Sequence, residues 1–419
     1  MSSDRSPNQQ VRQSARGWGR TFEALANRRF RLLWLGTLLT FGAGQMTLVV
    51  RPWLAFEISG SAFSLGLVAA AQGVPMVLAS PFGGVAADRL SKRTVILISQ
   101  AVLMAVSAVV AALIVLDLVE VWHLAVLALV HGTTIPFNVP VRQSYIPVLV
   151  DRRGLGNAVA LQSSGRNLNQ VLAPSLGGVL LAWSPAVAFL AIVALHVMAM
   201  GMALRLPAAK PAQAAGKGMV GELSTGFRYV LGSPFITTLI LMATLAAVLG
   251  MPYLQLLAVF QKQVLEVGPR ELGFMFSAAG AGALTGSLLV ASFSRIADRG
   301  YPQLLAGIAF GVGLVLFAQS PIYLLSLVLL FLIGMAAQSY MTMNQTLLMS
   351  TTDPSLYGRV LSVQMMLRGL LPLSVLPIGA LVDRYGAPST VSVLGFSLAA
   401  AIVVLGLLRP ELRRHRGER

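Results

Sequence analysis

Apolar runs of about twenty residues recur along the chain, separated by short polar or charged turns. A run of that length, coiled as a helix, crosses a hydrocarbon core of about 30 Å. The pattern predicts twelve transmembrane helices, over 32–56, 63–87, 94–116, 122–140, 156–182, 186–206, 234–259, 273–294, 302–319, 321–348, 360–382 and 388–408. The longest break, 207–233, starts as an Ala/Pro/Lys linker and continues as an amphipathic, interfacial helix around 220–231. It divides the chain into a basic tail (1–31), a six-helix half (32–206), a second six-helix half (234–408) and a short tail (409–419).

Polarity is unevenly spread over these spans. The third, ninth and twelfth are nearly featureless and are predicted to face lipid, as is the sixth apart from His196. The first, fourth, fifth, seventh, tenth and eleventh carry Gln45, His131, Asn138, Gln162, Asn169, Gln170, Tyr253, Gln255, Gln338, Tyr340 and Gln364. Polar groups are costly in hydrocarbon, so these six should line an interior or a wet cavity. The two halves also repeat. Shifted by 202 positions, Gly132, Gln143, Asp151, Gly156, Gln162, Arg166 and Gly177 meet Gly334, Gln345, Asp353, Gly358, Gln364, Arg368 and Gly379.

In each copy an arginine falls about ten residues inside the span, roughly 15 Å deep. Gln162, Arg166, Asn169 and Gln170 recur at helical spacing and form a polar stripe on the fifth helix; Gln364 and Arg368 repeat its upper part.

Composition sharpens the picture. The chain is 56% hydrophobic and 11% charged, which excludes a soluble globule of 419 residues. Its net charge of +16 reports topology rather than a nucleic-acid partner. Of the 31 Lys and Arg, Lys262, Arg270 and Arg384 fall on one side and Arg51, Arg166 and Arg368 within spans; the rest lie on the other side. That asymmetry predicts a multi-pass protein of the cell (inner) membrane with both termini cytoplasmic. The arginine-rich first 31 residues lack the apolar core of a signal peptide and read as a retained tail. No cysteine, metal-ligand spacing or nucleophile–base pair is evident, so neither an enzyme nor a metal or other cofactor is expected. The absence of G-x-x-x-x-G-K-[ST] excludes an ATP-driven pump.

The turn after the second span reads Gly84-Val-Ala-Ala-Asp88-Arg89-Leu-Ser-Lys92-Arg93. Here the sequence resembles the major facilitator superfamily, whose loop at this place is G-x-x-x-D-R-x-x-R/K-R. The resemblance implies an all-α membrane protein of twelve helices in two pseudo-symmetric halves. It also implies a conformational latch in which Asp88 approaches the helix start at 358–360, with Gly84, Arg89, Lys92, Arg93 and Arg359 around it. Within the superfamily the chain resembles the enterobactin-exporter and macrolide-efflux branch. The residues that carry this are Arg28-Arg-Phe-Arg-Leu-Leu-Trp34, Pro52-Trp53, the run NVPVRQSYIP from Asn138, and Gly358-Arg359-Val360-Leu361-Ser362. Pro174, Gly177 and Gly178 match the helix-packing motif of drug antiporters, from which Ala160, Asn169 and Ala173 depart.

Candidate substrate-binding residues are Arg166, Arg368, Gln162, Gln364, His131, Asn138, Tyr340 and Arg51. Two readings stand for Arg166 and Arg368: an anion-attracting cavity between the repeats, or arginines tied to backbone carbonyls. Arg51 either joins them or snorkels to the outer face. His131 either titrates during transport or is a neutral, hydrogen-bonded cavity residue, and His196 reads as packing. No Asp or Glu sits inside a predicted span, so a coupling proton would need His131, Glu57, Asp88 or another group. The expected activity is secondary export of a small amphipathic molecule, anionic or neutral, such as a siderophore or drug. An importer of a small solute and a lipid flippase are the alternatives. The expected partners are that substrate, a coupling proton and the bilayer, with no nucleic acid, and the expected state is a monomer.

Overall fold

The structure, a computed structural model, describes residues 22–152, 154–207, 228–292, 300–353 and 356–409. They form α1 (Arg28–Ser59), α2 (Ala62–Arg89), α3 (Lys92–Val115), α4 (Val121–Leu149), α5 (Leu155–Trp183) and α6 (Pro185–Leu204). There follow α7 (Pro234–Val264), α8 (Pro269–Ser292), α9 (Gly300–Ala318), α10 (Tyr323–Thr351), α11 (Tyr357–Arg368), α12 (Leu370–Tyr385) and α13 (Ala387–Leu408). Most of the predicted tails and linker, including the interfacial helix, lie outside the described residues.

Local chemistry sets the boundaries. Asn27 Oδ1 accepts from Arg29 N and Phe30 N to cap α1, while Ser184 and Ser233 cap α6 and α7 ahead of Pro185 and Pro234. Gly60 (φ 65°) and Gly386 (φ 83°) close α1 and α12 in the left-handed region that a side chain resists.

Among the described residues, ten helices are long and apolar enough to cross a membrane by themselves. The exceptions are α5 and the α11–α12 pair, the two segments that match in the repeat. α5 is long enough at 29 residues, but its middle reads LQSSGRNLNQ. The predicted span 360–382 is instead broken at Gly369, whose N–H reaches back to Met366 O. Pro372 lacks the N–H that would have paired with the carbonyl of Arg368, so one rung of the ladder is missing next to this break.

Two further corrections matter for the site. α4 was predicted to end at 140, but it continues through Pro140 and Pro147 to Leu149. α7 runs to Val264 and contains π-helical turns at Ala246–Gly250 and Phe260–Val264. Pro252 explains the first: with no N–H to give, it is accommodated by a wider turn in which Met251 N reaches Ala246 O.

Glycines decide which helices touch. A β-carbon on Gly132 would lie 2.2 Å from Gln72 O, and one on its repeat partner Gly334 would lie 2.0 Å from Ala279 O. The α2–α4 and α8–α10 contacts are thus built alike. A second pair of contacts joins the chain's two regions. Gly178 of α5 meets Gly273 of α8, with a β-carbon 2.7 Å from its Cα, and Gly379 of α12 meets Ala62 of α2. Small residues permit this approach where hydrocarbon offers no hydrophobic drive.

Candidate functional site

A cavity of about 290 Å³ lies among α1 to α6. Its walls include Arg51, Arg142 and Arg166, with His131, His196, Gln45, Asn138, Gln143 and Gln162. No carboxylate is among the lining residues.

Arg142 is the most firmly held of these cations. Its Nε donates to Asn138 Oδ1 (2.7 Å), Nη1 to Thr37 Oγ1 (3.0 Å) and Nη2 to Thr40 Oγ1 (3.0 Å). Thr40 Oγ1 lies 3.3 Å from Gln100 Oε1, and the Gln100 amide donates to His196 Nδ1 at 3.0 Å. A second cluster sits across the cavity. Arg51 Nη2 donates to Gln72 Oε1, and Nη1 lies 3.3 Å from His131 Nδ1. A guanidinium can only donate, so His131 Nδ1 is the accepting nitrogen and the ring proton sits on Nε2.

Two buried polar atoms on the wall have no partner: Asn138 Nδ2, a donor, and Gln162 Oε1, an acceptor. Buried polar atoms are normally satisfied, so both remain free to bond a guest in the cavity.

A second cavity, about 250 Å³, lies between the two regions of the chain, where α1 and α5 face α7, α8, α10 and α12. It is lined by Gln45, Gln170, Gln255 and Gln338 with Tyr253, Phe276 and Met251, and by no charged side chain. Beyond it the bundle is closed at the end that carries the α1–α2 turn. Asp383 of α12 accepts from Ser61 Oγ (2.5 Å), Ala62 N (2.6 Å) and Phe63 N (3.0 Å). A carboxylate from one region thereby fills the open amide positions at the start of a helix from the other. Lys262 and Glu57 pair nearby at 2.6 Å, half-exposed, and Ser175 meets Ser277 between α5 and α8 at 2.6 Å.

The sequence-predicted residues divide accordingly. Arg51, His131, Asn138, Gln162 and Arg166 share the first cavity. Arg51 is buried and doubly held, so the snorkelling reading is wrong for it. Tyr340 and Gln364 line neither cavity. Tyr340 is fully buried and donates to Met242 O at 2.8 Å, because α10 turns that face into its own core. The side chains of Asp88, Arg89 and Arg368, and Gly84 with them, lie outside the described residues. Lys92 is buried, Arg93 donates to Leu204 O (2.6 Å), and Arg359 is half-buried at the start of α11. The polar stripe on α5 splits: Arg166 faces the first cavity, Gln170 the second, and Asn169 donates to Leu38 O of α1. A β-carbon on Gly42 would lie 3.0 Å from Asn169 Oδ1, so a glycine on α1 makes the room that a glycine on α5 was expected to make.

Sequence reasoning misses several residues of these sites. Arg142 lies beyond the predicted end of its span, Gln100 on a helix expected to face lipid, and Gln72 carries no signal beyond its polarity. His196, taken as packing, also lines the cavity. Asp383 had a legible signal: Gly379-x-x-x-Asp383-Arg384 has the spacing of Gly84-x-x-x-Asp88-Arg89.

Among the described residues, ten apolar helices of membrane-crossing length around a charged cavity and an uncharged one have the build of a membrane transporter. The chain belongs to the transmembrane secretion effector family of the major facilitator superfamily; that family's model matches residues 20–416. The multidrug efflux pump Tap of Mycolicibacterium fortuitum is 31% identical over 92% of this chain and 96% of its own. The enterobactin exporter EntS of Shigella boydii is 26% identical over 92% and 93%. In fold, the crystal structure of the nucleoside transporter NupG matches with a TM-score of 0.71 at 15% identity, covering 92% of this chain and 99% of that one.

Proposed function

We propose that this transporter exports a small amphipathic molecule bearing negative charge, held in the first cavity among α1 to α6, by alternating access of two six-helix halves. The carrying observation is the first cavity, where three arginines stand without a lining carboxylate. A permanently cationic drug would be repelled there, whereas an anion offsets the cost of keeping guanidinium groups in a low dielectric. The unpartnered Asn138 Nδ2 would add a donor to the anion, and Gln162 Oε1 would take a hydrogen bond from a hydroxyl or amide of the same ligand. Relatives named for multidrug efflux and for enterobactin export favour outward transport of drug- or siderophore-sized molecules.

In this reading α11 and α12 cross as one kinked span, giving twelve, and both termini lie in the cytoplasm of a cell (inner) membrane. The protein works as a monomer, and 207–233 connects the halves. Asp88, with Gly84, Arg89, Lys92, Arg93 and Arg359 around it, latches the cytoplasmic end when the opposite end is open. A coupling proton would be carried by His131 or His196, the titratable groups of the first cavity besides the arginines.

The test compares wild type, Arg51→Gln and Arg166→Gln in inverted vesicles for uptake of anionic and cationic probes. Selective loss of anion uptake in both variants is expected. Preference of the wild type for cations, or normal anion uptake by both variants, overturns the reading.

A further inference from the structure

The two cavities share two lining residues, Gln45 and Leu48, one turn apart on α1. Leu48 is 37% exposed although it lies deep within α1 between buried Thr47 and Val49; the space it is exposed to is the pair of cavities. On one side of this ridge stand the three arginines, and on the other amides, Tyr253 and Phe276. At about 290 and 250 Å³, each chamber falls at or below the small end of drug-sized sites, which start near 300 Å³. Their shared lining makes them neighbours across Leu48.

We propose that one substrate molecule occupies both chambers at once, across the ridge. Its anionic head lies with Arg51, Arg166 and Asn138, and its uncharged, ring-bearing body lies against Tyr253 and Phe276. Leu48 is the specificity-determining residue, because its size sets how thick a molecule can be where head joins body. Gln45 serves the same passage by offering one donor and one acceptor to a polar linker. The proposal rests on the anionic reading of the first cavity and adds the second chamber and the ridge to it.

Purified protein in lipid nanodiscs, checked for monodispersity and melting temperature, is titrated with three probes. Benzoate is a head alone, benzyl phenyl ether a body alone, and 4-benzyloxybenzoate carries both. Wild type is expected to bind the two-part probe at least about tenfold tighter than either part, since the second contact becomes intramolecular. Leu48→Trp should abolish that gain, lowering affinity for the two-part probe far more than for benzoate, whereas Leu48→Ala should keep it. Leu48→Phe reports the same contrast if the tryptophan variant is unstable. Equal losses for benzoate and the two-part probe, or no loss for either, overturn the ridge. No advantage of the two-part probe in wild type overturns joint occupancy. Failure of wild type to bind benzoate at all instead overturns the anionic reading, so the two failures are told apart.

Discussion

The two regions of the chain, Arg28–Leu204 and Pro234–Leu408, repeat one another in sequence and differ in what they enclose. In the first, the apolar core is split into two clusters. One surrounds Val50, Leu124 and Ile192; the other surrounds Phe30, Tyr145 and Leu161. The charged cavity lies in this region. In the second, one cluster runs without interruption from Ile236 to Ile402 through Phe260, Phe310 and Tyr340. There Tyr340 donates to Met242 O and Asn344 to Leu239 O, each a single bond to backbone. The first region instead links side chain to side chain, Arg142 through Thr40 and Gln100 to His196. A shared frame thus carries the arginines in its first region, while the second offers only uncharged side chains to the cavity between the two.

The sharpest test of that contrast is Arg142→Ala. It removes three charge-assisted hydrogen bonds and leaves Asn138 and the threonines without their donor. We expect a loss of stability on the order of 3 kcal/mol and no measurable transport. Melting in detergent and vesicle uptake read the two effects, and a fully active Arg142→Ala protein would erase the distinction between the regions.

Next in size are the contacts that join the regions. Gly178→Val places atoms where Gly273 backbone already lies, so α5 and α8 must separate at a cost of about 1–3 kcal/mol. Gly201→Ala, with nothing within 4 Å of the added carbon, is the neutral control. The chain has no cysteine, so Ala62→Cys, fully buried at the closed end, is a clean reporter. Its thiol labelling should rise several-fold in Gly178→Val and stay at baseline in Gly201→Ala.

Asp383→Asn should act more weakly through the same reporter. It keeps the shape but removes the charge from the α2 N-terminus, where such an interaction contributes about 0.3–2 kcal/mol. Faster labelling at Ala62→Cys is expected, and Asp88→Asn, at the opposite end of α2, should slow it. Labelling that moves the same way in both variants would show that the two G-x-x-x-D-R segments are not alternating clasps. The smallest effect belongs to the second region: Tyr340→Phe loses one neutral hydrogen bond, about 1 kcal/mol, and should transport normally. Impaired transport in that variant would show that this buried hydrogen bond serves more than the core of the second region.

Hydropathy alone located nearly every helix, because crossing hydrocarbon demands about twenty apolar residues whatever the neighbours are. The repeat was equally legible: Gly132 and Gly334 match in sequence and make the same close approach in space. Two predicted bounds differ from the structure near prolines: the span 122–140 continues through Pro140 as α4 and carries Arg142 inward, and the span 360–382 is interrupted between α11 and α12, ahead of Pro372. In lipid, whether a helix survives a proline depends on neighbours that re-satisfy the freed carbonyl, and that is a tertiary matter.

The same limit hid Gln100. One amide in twenty apolar residues hardly changes a mean, so a helix that hides its polar group against His196 reads like one that faces lipid. Asp383 carried the motif in plain view, but nothing along the chain says that the end of α12 meets the start of α2, 320 or more residues away. Sequence by itself determined which stretches are apolar enough for hydrocarbon and which residues are too polar for it. Only the packing of helices decided which of those polar residues face one another, because a hydrogen bond depends on distances of about 3 Å that no periodicity encodes.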